Sequence, residues 1–127
     1  MDRGQHAPPF DYSDLKLSSN QINSADTIEV SVNVTNSGNY DGKEVVQLYI
    51  RDLVGSVTRP VKELKGFELI ELDPNKSETV EFLLSNEELG FYNNQGKWII
   101  EEGDFDVFVG GTSSTNYKTS FNLIKTL

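Results

Sequence analysis

Residues 44–52 read EVVQLYIRD, and residues 61–67 read VKELKGF after an Arg-Pro pair at 59–60. Apolar and polar side chains alternate through the first stretch, so that one face carries Val46, Leu48 and Ile50 and the other carries Gln47, Tyr49 and Arg51. A period of two is typical of a β-strand with one side against a core and the other against water or a partner. We therefore predict a strand at 44–52, a loop closed by the Arg-Pro pair, and a second strand from Val61 with a bulge near Gly66.

The same alternation recurs on both sides of this stretch. The clearest case is residues 27–35, where every second residue from Ile28 to Val34 is apolar. A closing strand is expected over residues 117–123. Three further strands are predicted from apolar side chains that share one face: Phe10, Tyr12, Leu15 and Leu17, with a change of phase at Asp14; Val80, Phe82 and Leu84; Phe105, Val107 and Val109.

Turn signals separate these predicted strands. Residues 18–26 and 73–76 read as turns, and residues 36–42 (NSGNYDG) supply residue types that tolerate positive φ in a tight return. Asn86 is placed to cap one short helical turn, and residues 91–100 read as a small hairpin.

The patterns give seven or eight short strands with turns between them and no long helices, which predicts an all-β chain. We expect an antiparallel β-sandwich of the immunoglobulin or fibronectin type III kind, with a closed barrel as the alternative. Residues 1–9, which contain Gly4, Pro8 and Pro9, read as a flexible leader, and residues 10–127 read as the domain. A chain of 127 residues can bury ~65% of its unfolded surface without disulfides.

Composition excludes several classes of function. The net charge of −9 and the pI near 4.5 argue against a nucleic-acid partner, because phosphate backbones are bound by clustered Lys and Arg. No apolar run approaches the ~20 residues that cross a bilayer, so no membrane partner is expected. The chain has no Cys, and its single His, His6, lies in the predicted leader. A Ser-His-Asp set, a histidine or thiolate metal site and a cofactor are therefore not predicted.

Two other sets of residues could in principle carry chemistry. Paired carboxylates hydrolyse glycosides, but the acidic residues here fall on outward phases or at strand ends, where solvation is their ordinary state. Residues 101–104 (EEGD) could bind Ca²⁺ weakly, yet they lack the alternating ligand spacing of an EF-hand loop. Exposed aromatic rings could stack on sugars; we expect most rings in the core or an interface, with Phe91 and Trp98 over one open end of the sandwich.

One charge feature stands out in this acidic chain. Four of its eleven cations fall in the central stretch, at Arg51, Arg59, Lys62 and Lys65. Together with the outward ring of Tyr49 they form a locally basic edge. Such an edge is either a docking surface for an acidic neighbouring domain or a solvated strand edge that Lys and Arg keep from pairing with other chains. The pattern by itself leaves both interpretations open.

Four motifs occur in a fixed order: EVVQLYIRD at 44–52, RPVKELKGF at 59–67, LGFY at 89–92, and EGDF at 102–105 followed by Val107, Val109 and Gly110. Together they resemble the C-terminal fibronectin type III-like domain of glycoside hydrolase family 3, which includes β-glucosidases and β-xylosidases. The resemblance runs from about residue 10 to residue 123. The combination is far more specific than any one of the motifs.

The resemblance implies a non-catalytic accessory domain of such an enzyme, separated here from the barrel and the α/β domain that carry its nucleophile and its acid/base. No position in this chain matches either catalytic residue. The implied partners are the catalytic domains, with carbohydrate near the active site of the parent enzyme as a further contact. The candidate interdomain surface consists of Tyr49, Arg51, Arg59, Lys62 and Lys65. The alternatives are a carbohydrate-binding module that acts through exposed aromatics and a cell-surface spacer of the fibronectin kind.

Overall fold

A computed structural model describes residues 9–53, 62–92 and 94–124. The Arg59-Pro60 loop, Val61 and the leader except Pro9 lie outside the described residues. The elements in the described ranges are β1 (Phe10–Leu17), β2 (Gln21–Asn23), β3 (Ile28–Asn36), β4 (Gly42–Asp52), β5 (Lys62–Leu72), β6 (Ser77–Leu84), α1 (Asn86–Leu89), β7 (Phe91–Tyr92), β8 (Trp98–Ile99), β9 (Gly103–Gly110) and β10 (Lys118–Ile124). No helix in these ranges is long and apolar enough to cross a bilayer.

Two sheets face each other across the core. One has three strands in the order β1-β3-β6, and the other has five in the order β2-β10-β9-β4-β5. The seven long strands pair antiparallel with one another, the short β2 pairs in parallel with β10, and β7 and β8 form a separate hairpin. The prediction of an all-β sandwich of the immunoglobulin or fibronectin type III kind is confirmed, and the closed barrel is not formed.

The core lies between the inner faces of the two sheets, and the alternating strands supply it. Val46, Leu48 and Ile50 of β4 are buried as predicted, as are all four apolar residues of β3 from Ile28 to Val34. The predicted inner faces of β6 and β9 pack against the same cluster. Each fully buried aliphatic side chain of this kind contributes ~1.5–3 kcal/mol to the free energy of folding, so the alternation of apolar residues strongly favours this fold.

Two predicted irregularities are present. In β1 the register shifts between Ser13 and Lys16, and Asp14 adopts a φ of 54°. In β5 the residue Lys65 has no partner in the register with β4, which makes it the extra residue of a bulge beside Gly66. A Cβ on Gly66 would lie 3.0 Å from the Phe82 ring. The glycine therefore lets Phe82 of β6 close this edge of the sandwich.

The predictions for residues 21–23 and for the helix cap were wrong. Residues 21–23 were predicted as part of a turn but form β2, which pairs in parallel with β10 and buries Ile22. A strand with one apolar residue has too little alternation to be recognised in the sequence. The cap of α1 is Ser85 and not Asn86: Ser85 Oγ accepts from Glu87 N at 3.2 Å, and Glu88 Oε1 accepts from Ser85 N at 2.7 Å in a capping box.

The turn between β3 and β4 is held by a side chain and not by positive φ. No residue of 36–42 has a positive φ, contrary to the prediction. Instead the buried amide of Asn36 donates from Nδ2 to Tyr40 O at 2.8 Å and to Leu72 O at 2.9 Å. Its Oδ1 accepts from Gly38 N at 2.9 Å. One side chain thus satisfies three backbone groups, two in the β3–β4 turn and one at the end of β5.

Replacing Asn36 by Ala should destabilise the fold by about 2–3 kcal/mol in urea-induced unfolding, because it leaves buried backbone groups without partners. Asn39→Ala is the matched control, since Asn39 is exposed in the same turn. We expect the control to change the free energy of unfolding by less than about 0.5 kcal/mol. Equal losses in the two variants would contradict this role of Asn36.

The exposed Asp41 lies against the turn between β5 and β6. Repulsion from the Asp73 carboxylate is the main cause that raises the pKa of Asp41 above its ordinary value. Because the pKa is raised on folding, the folded state binds this proton more readily than the unfolded state. The repulsion therefore weakens the fold above the raised pKa, and the penalty disappears as the pH falls through it.

Asp41→Asn should raise the melting temperature slightly at pH 7, and the gain should shrink towards about pH 3, where wild-type Asp41 is itself protonated. Glu78→Gln removes the same charge from an exposed position of β6 and serves as the control. Calorimetry across this pH range measures both variants. A gain that is equal for the two variants would reflect net charge alone and would contradict the Asp41–Asp73 repulsion.

Candidate interdomain surface

The outer face of the five-stranded sheet buries an aromatic ring of its own. Phe108 in β9 points away from the core, between Val107 and Val109, yet it is only 2% exposed. Its cross-strand neighbours are Tyr49 in β4 and Lys118 in β10. Side chains of directly opposed residues are close enough to pack, so the three form a row across the outer face.

The loop that follows β9 lies over this row. Thr115 Oγ1 donates to Val109 O at 2.8 Å, and Gln47 Nε2 donates to Gly111 O at 2.8 Å. Gly110 is the point of closest approach, because a Cβ there would lie 2.5 Å from Thr115 Cβ. A larger residue at 110 would push the loop off the sheet.

Three cations surround the Phe108 ring. Lys62 Nζ lies 4.2 Å from the ring centroid, Arg51 Cζ lies at 5.1 Å, and Lys118 Nζ lies at 5.8 Å. All three distances are within the range of cation–π attraction. Lys62 Nζ also donates to Ser113 O at 3.1 Å and to Thr115 O at 2.6 Å, which ties β5 to the covering loop. We call Arg51, Lys62 and Lys118 the basic cluster.

Among the residues that the structure describes, one carboxylate lies within 4 Å of these cations. Asp106 Oδ2 accepts from Arg51 Nη2 at 2.8 Å and lies 3.8 Å from Lys118 Nζ. The Asp106 side chain is 9% exposed and that of Arg51 is 33% exposed, so the carboxylate is nearly buried and the guanidinium is partly solvated. Arg51 Nε is buried without a hydrogen-bond partner among the described residues. With one anion for three cations, the basic cluster has a local excess of positive charge on a chain of net charge −9.

The predicted surface residues divide into three groups. Arg51 and Lys62 lie together in the basic cluster, and Tyr49 lies beneath it, 8% exposed, with its hydroxyl donating to Gln47 Oε1. Lys65 lies apart: its Nζ is 3.9 Å from Glu63 Oε1, and it lines a cavity at the end of the sandwich. Arg59 lies outside the described residues.

Sequence reasoning missed Lys118, Asp106 and the role of Phe108. Lys118 is 56 residues or more from the other two cations of the cluster, and only the pairing of β10 with β9 brings it there. One signal was available, because Phe108 occupies an outward phase between two inward valines. A large apolar ring at such a position indicates that something covers that face.

An exposed apolar stripe lies beside the basic cluster. It consists of Val45 in β4 and Leu64, Phe67 and Leu69 in β5, all of which are exposed. Val45 is paired with Leu69, and Phe67 is paired with Gln47, on the outer face of the sheet. Isolated exposed apolar residues are common, but a contiguous set of four at a sheet edge marks a surface suited to an interface.

An open cavity of about 220 Å³ lies at the end of the sandwich where β4 ends and β5 begins. Its apolar floor includes Ile50, Leu89 and Phe105, and Phe91 lines it as predicted. Trp98 does not close this end, because it is 44% exposed and packs edge-to-face on Tyr92 with centroids 5.0 Å apart. The β7–β8 hairpin therefore presents an aromatic pair to solvent.

The geometry offers no catalytic centre in the described ranges. No group of three or more His, Asp or Glu residues there could hold a metal ion. Tyr12 Oη donates to Glu44 Oε2 at 2.7 Å, and burial followed by this hydrogen bond raises the pKa of Tyr12 above its ordinary value. Tyr12 thus stays protonated and joins β1 to β4 across the two sheets.

Asp106→Asn should destabilise the fold by about 1–2 kcal/mol, less than the loss of a fully buried ion pair because Arg51 is partly solvated. Asp104→Asn is the control: Asp104 lies two residues earlier in β9, is exposed and accepts from Asn122 Nδ2 at 3.0 Å. Chemical unfolding at low and high salt measures both. Identical losses, or a loss for Asp106 that persists unchanged at 1 M salt, would contradict the electrostatic role.

Comparison with known proteins identifies the domain type. The family profile described as "Fibronectin type III-like domain" matches residues 44–113, which is more than half of the chain. This match includes the central stretch, the basic cluster except Lys118, and the apolar stripe.

Relatives of known activity contain a similar segment within longer chains. The chain is 44% identical over 105 residues to the thermostable β-glucosidase B of Acetivibrio thermocellus, covering 82% of this chain and 14% of that protein. It is 43% identical over 107 residues to a β-xylosidase of Formosa agariphila, covering 84% of this chain and 15% of that protein.

A solved structure agrees with these sequence matches. A β-glucosidase of Erythrobacter marinus aligns with a TM-score of 0.86 and 35% identity, over 91% of this chain and 15% of that one. The chain therefore spans about one seventh of these enzymes and matches their accessory part without their catalytic domains. It belongs to the fibronectin type III-like domain family, in the form found in the β-glucosidases and β-xylosidases of glycoside hydrolase family 3.

Proposed function

We propose that this chain, with residues 10–127 as the domain and residues 1–9 as its linker, packs on the catalytic domains of a glycoside hydrolase family 3 enzyme and stabilises them. The observation that carries the proposal is the coverage: nearly the whole chain aligns with a small part of each enzyme. The parent activity we propose is that of a β-glucosidase or a related exo-glycosidase in carbohydrate metabolism, because the similar enzymes carry those names.

The outer face of the five-stranded sheet supports this role. Arg51 and Lys62, two of the five residues predicted to form an interdomain surface, lie on that face with exposed charge beside the apolar stripe. A surface with an apolar part and a charged border is typical of interfaces between domains of one chain. Anything that binds only the folded form of a partner stabilises it, so docking of this domain would raise the stability of the catalytic domains.

One observation favours a second function, the binding of carbohydrate by this domain. Tyr92 and Trp98 form an exposed pair, and a Cβ on Gly90 would lie 2.6 Å from the indole of Trp98. The glycine thus lets the indole lie against the backbone, which leaves an aromatic surface available to a sugar ring. Trp98 is the only tryptophan of the chain, so its fluorescence reports on this pair alone.

The accessory role predicts that the isolated chain neither hydrolyses nor binds sugars. With aryl β-glucosides and β-xylosides we expect no turnover above that of buffer, because the chain contains neither catalytic domain. Titration with cello- and xylo-oligosaccharides to millimolar concentration should leave Trp98 fluorescence unchanged. Deletion of this chain from the full-length enzyme should shorten the half-life of activity on heating.

The three readouts separate the candidates. Turnover by the isolated chain would show that it contains a catalytic group of its own. A saturable change in fluorescence that disappears in Tyr92→Ser would establish the carbohydrate-binding function. An unchanged half-life after deletion would refute the stabilising role, provided that the parent enzyme remains folded as judged by circular dichroism.

A further inference from the structure

We propose that the apolar stripe of Val45, Leu64, Phe67 and Leu69 is the surface on which the catalytic part of the same polypeptide docks. We infer further that the docked surface is apolar at its centre and carries carboxylates where it meets the basic cluster. This inference rests on the proposed function, because it takes the catalytic part as the partner, and it adds which face binds and what chemistry that face accepts.

The register between β4 and β5 makes the stripe continuous. Leu69 lies opposite Val45, Phe67 lies two residues further along β5, and Leu64 follows beyond the bulge opposite Tyr49. Residues at alternate positions of a strand share one face, and directly opposed residues across a strand pair lie within contact distance. Phe67 and Leu69 are 68% and 62% exposed, so most of their apolar area is available.

The position of β5 at the edge of its sheet makes an uncovered stripe a liability. In the described ranges β5 pairs with β4 only, and an exposed edge with apolar side chains tends to pair with other chains. Leu83 of β6 offers a useful contrast, because it is 65% exposed but faces Glu29 across the strand pair and is flanked by Glu81. Leu83 is thus a single exposed apolar residue among acidic side chains, whereas the stripe is a contiguous apolar surface of four residues.

Charge and chain length favour the catalytic part over a second copy as the occupant. The basic cluster borders the stripe at the Arg51–Lys62 pair, with an excess of cations over its one carboxylate. In a two-fold dimer through the stripe, two such clusters and two chains of net charge −9 would approach each other. In the similar enzymes about six sevenths of the polypeptide lies outside the matched segment, so an intramolecular partner is present at high effective concentration.

The test compares two leucines that differ in position and little else. In the full-length enzyme, Leu69→Thr should speed heat inactivation by about tenfold, since the burial of one leucine corresponds to about that factor in a docking equilibrium. The matched control, Leu83→Thr, should leave the rate of inactivation within about twofold of wild type. Threonine preserves the preference for strand in both variants. Val45→Thr, which is nearly isosteric, should act in the same direction as Leu69→Thr with a smaller factor.

The second part of the test measures the same variants in the isolated chain. All three variants should melt within about 2 °C of the wild-type chain, because their side chains are exposed there. Equal inactivation rates for Leu69→Thr and Leu83→Thr in the full-length enzyme would overturn the inference. It would also be overturned if Leu69→Thr and Val45→Thr destabilised the isolated chain as much as they destabilise the full-length enzyme. A full-length enzyme that loses no stability on deletion of the whole chain would instead refute the proposed function. A concentration-dependent dimer of the isolated chain that Leu69→Thr abolishes would assign the stripe to a second copy.

Discussion

β4 is hydrogen-bonded on both of its edges, to β5 on one side and to β9 on the other. A strand in that position has no freedom of register, because a slip by one residue would turn Val46, Leu48 and Ile50 out of the core. The burial of those three side chains therefore also determines which residues lie opposite β4 on the outer face. Tyr49 meets Phe108 of β9 on one side and Leu64 of β5 on the other as a consequence.

The two halves of the outer face are completed in different ways. On the β9 side, the loop at 111–117 folds back and the basic cluster covers Phe108, so the ring is removed from water by this chain alone. On the β5 side, Phe67 and Leu69 remain largely exposed. The β9 half is thus a small second core, whereas the β5 half leaves large apolar side chains exposed.

Charge is distributed in the same uneven way. The chain as a whole is strongly acidic, and its net charge of −9 disfavours self-association. The basic cluster is the exception, and Asp106 neutralises only part of it. Because Lys62 is bound to loop carbonyls and Arg51 to Asp106, these cations first stabilise the domain and only their remaining exposed charge can act on a partner. The two interpretations of the basic edge that the sequence left open are therefore not exclusive.

Much of this protein follows from its sequence, and the rest follows from pairing between distant segments. The alternation of β3 and β4, the phase change at Asp14 and the bulge beside Gly66 are local patterns, and each was predicted. The order of motifs also sufficed to indicate the family. The sequence could not place Lys118 beside Arg51, because that position depends on the pairing of β10 with β9. Nor could it place Lys65 away from Arg51, because that position depends on how many residues the bulge inserts. The sequence alone determined which face of each strand is apolar, since that requires only a period of two; the tertiary structure decided which outer faces become neighbours, since that depends on registers set by the burial of the core.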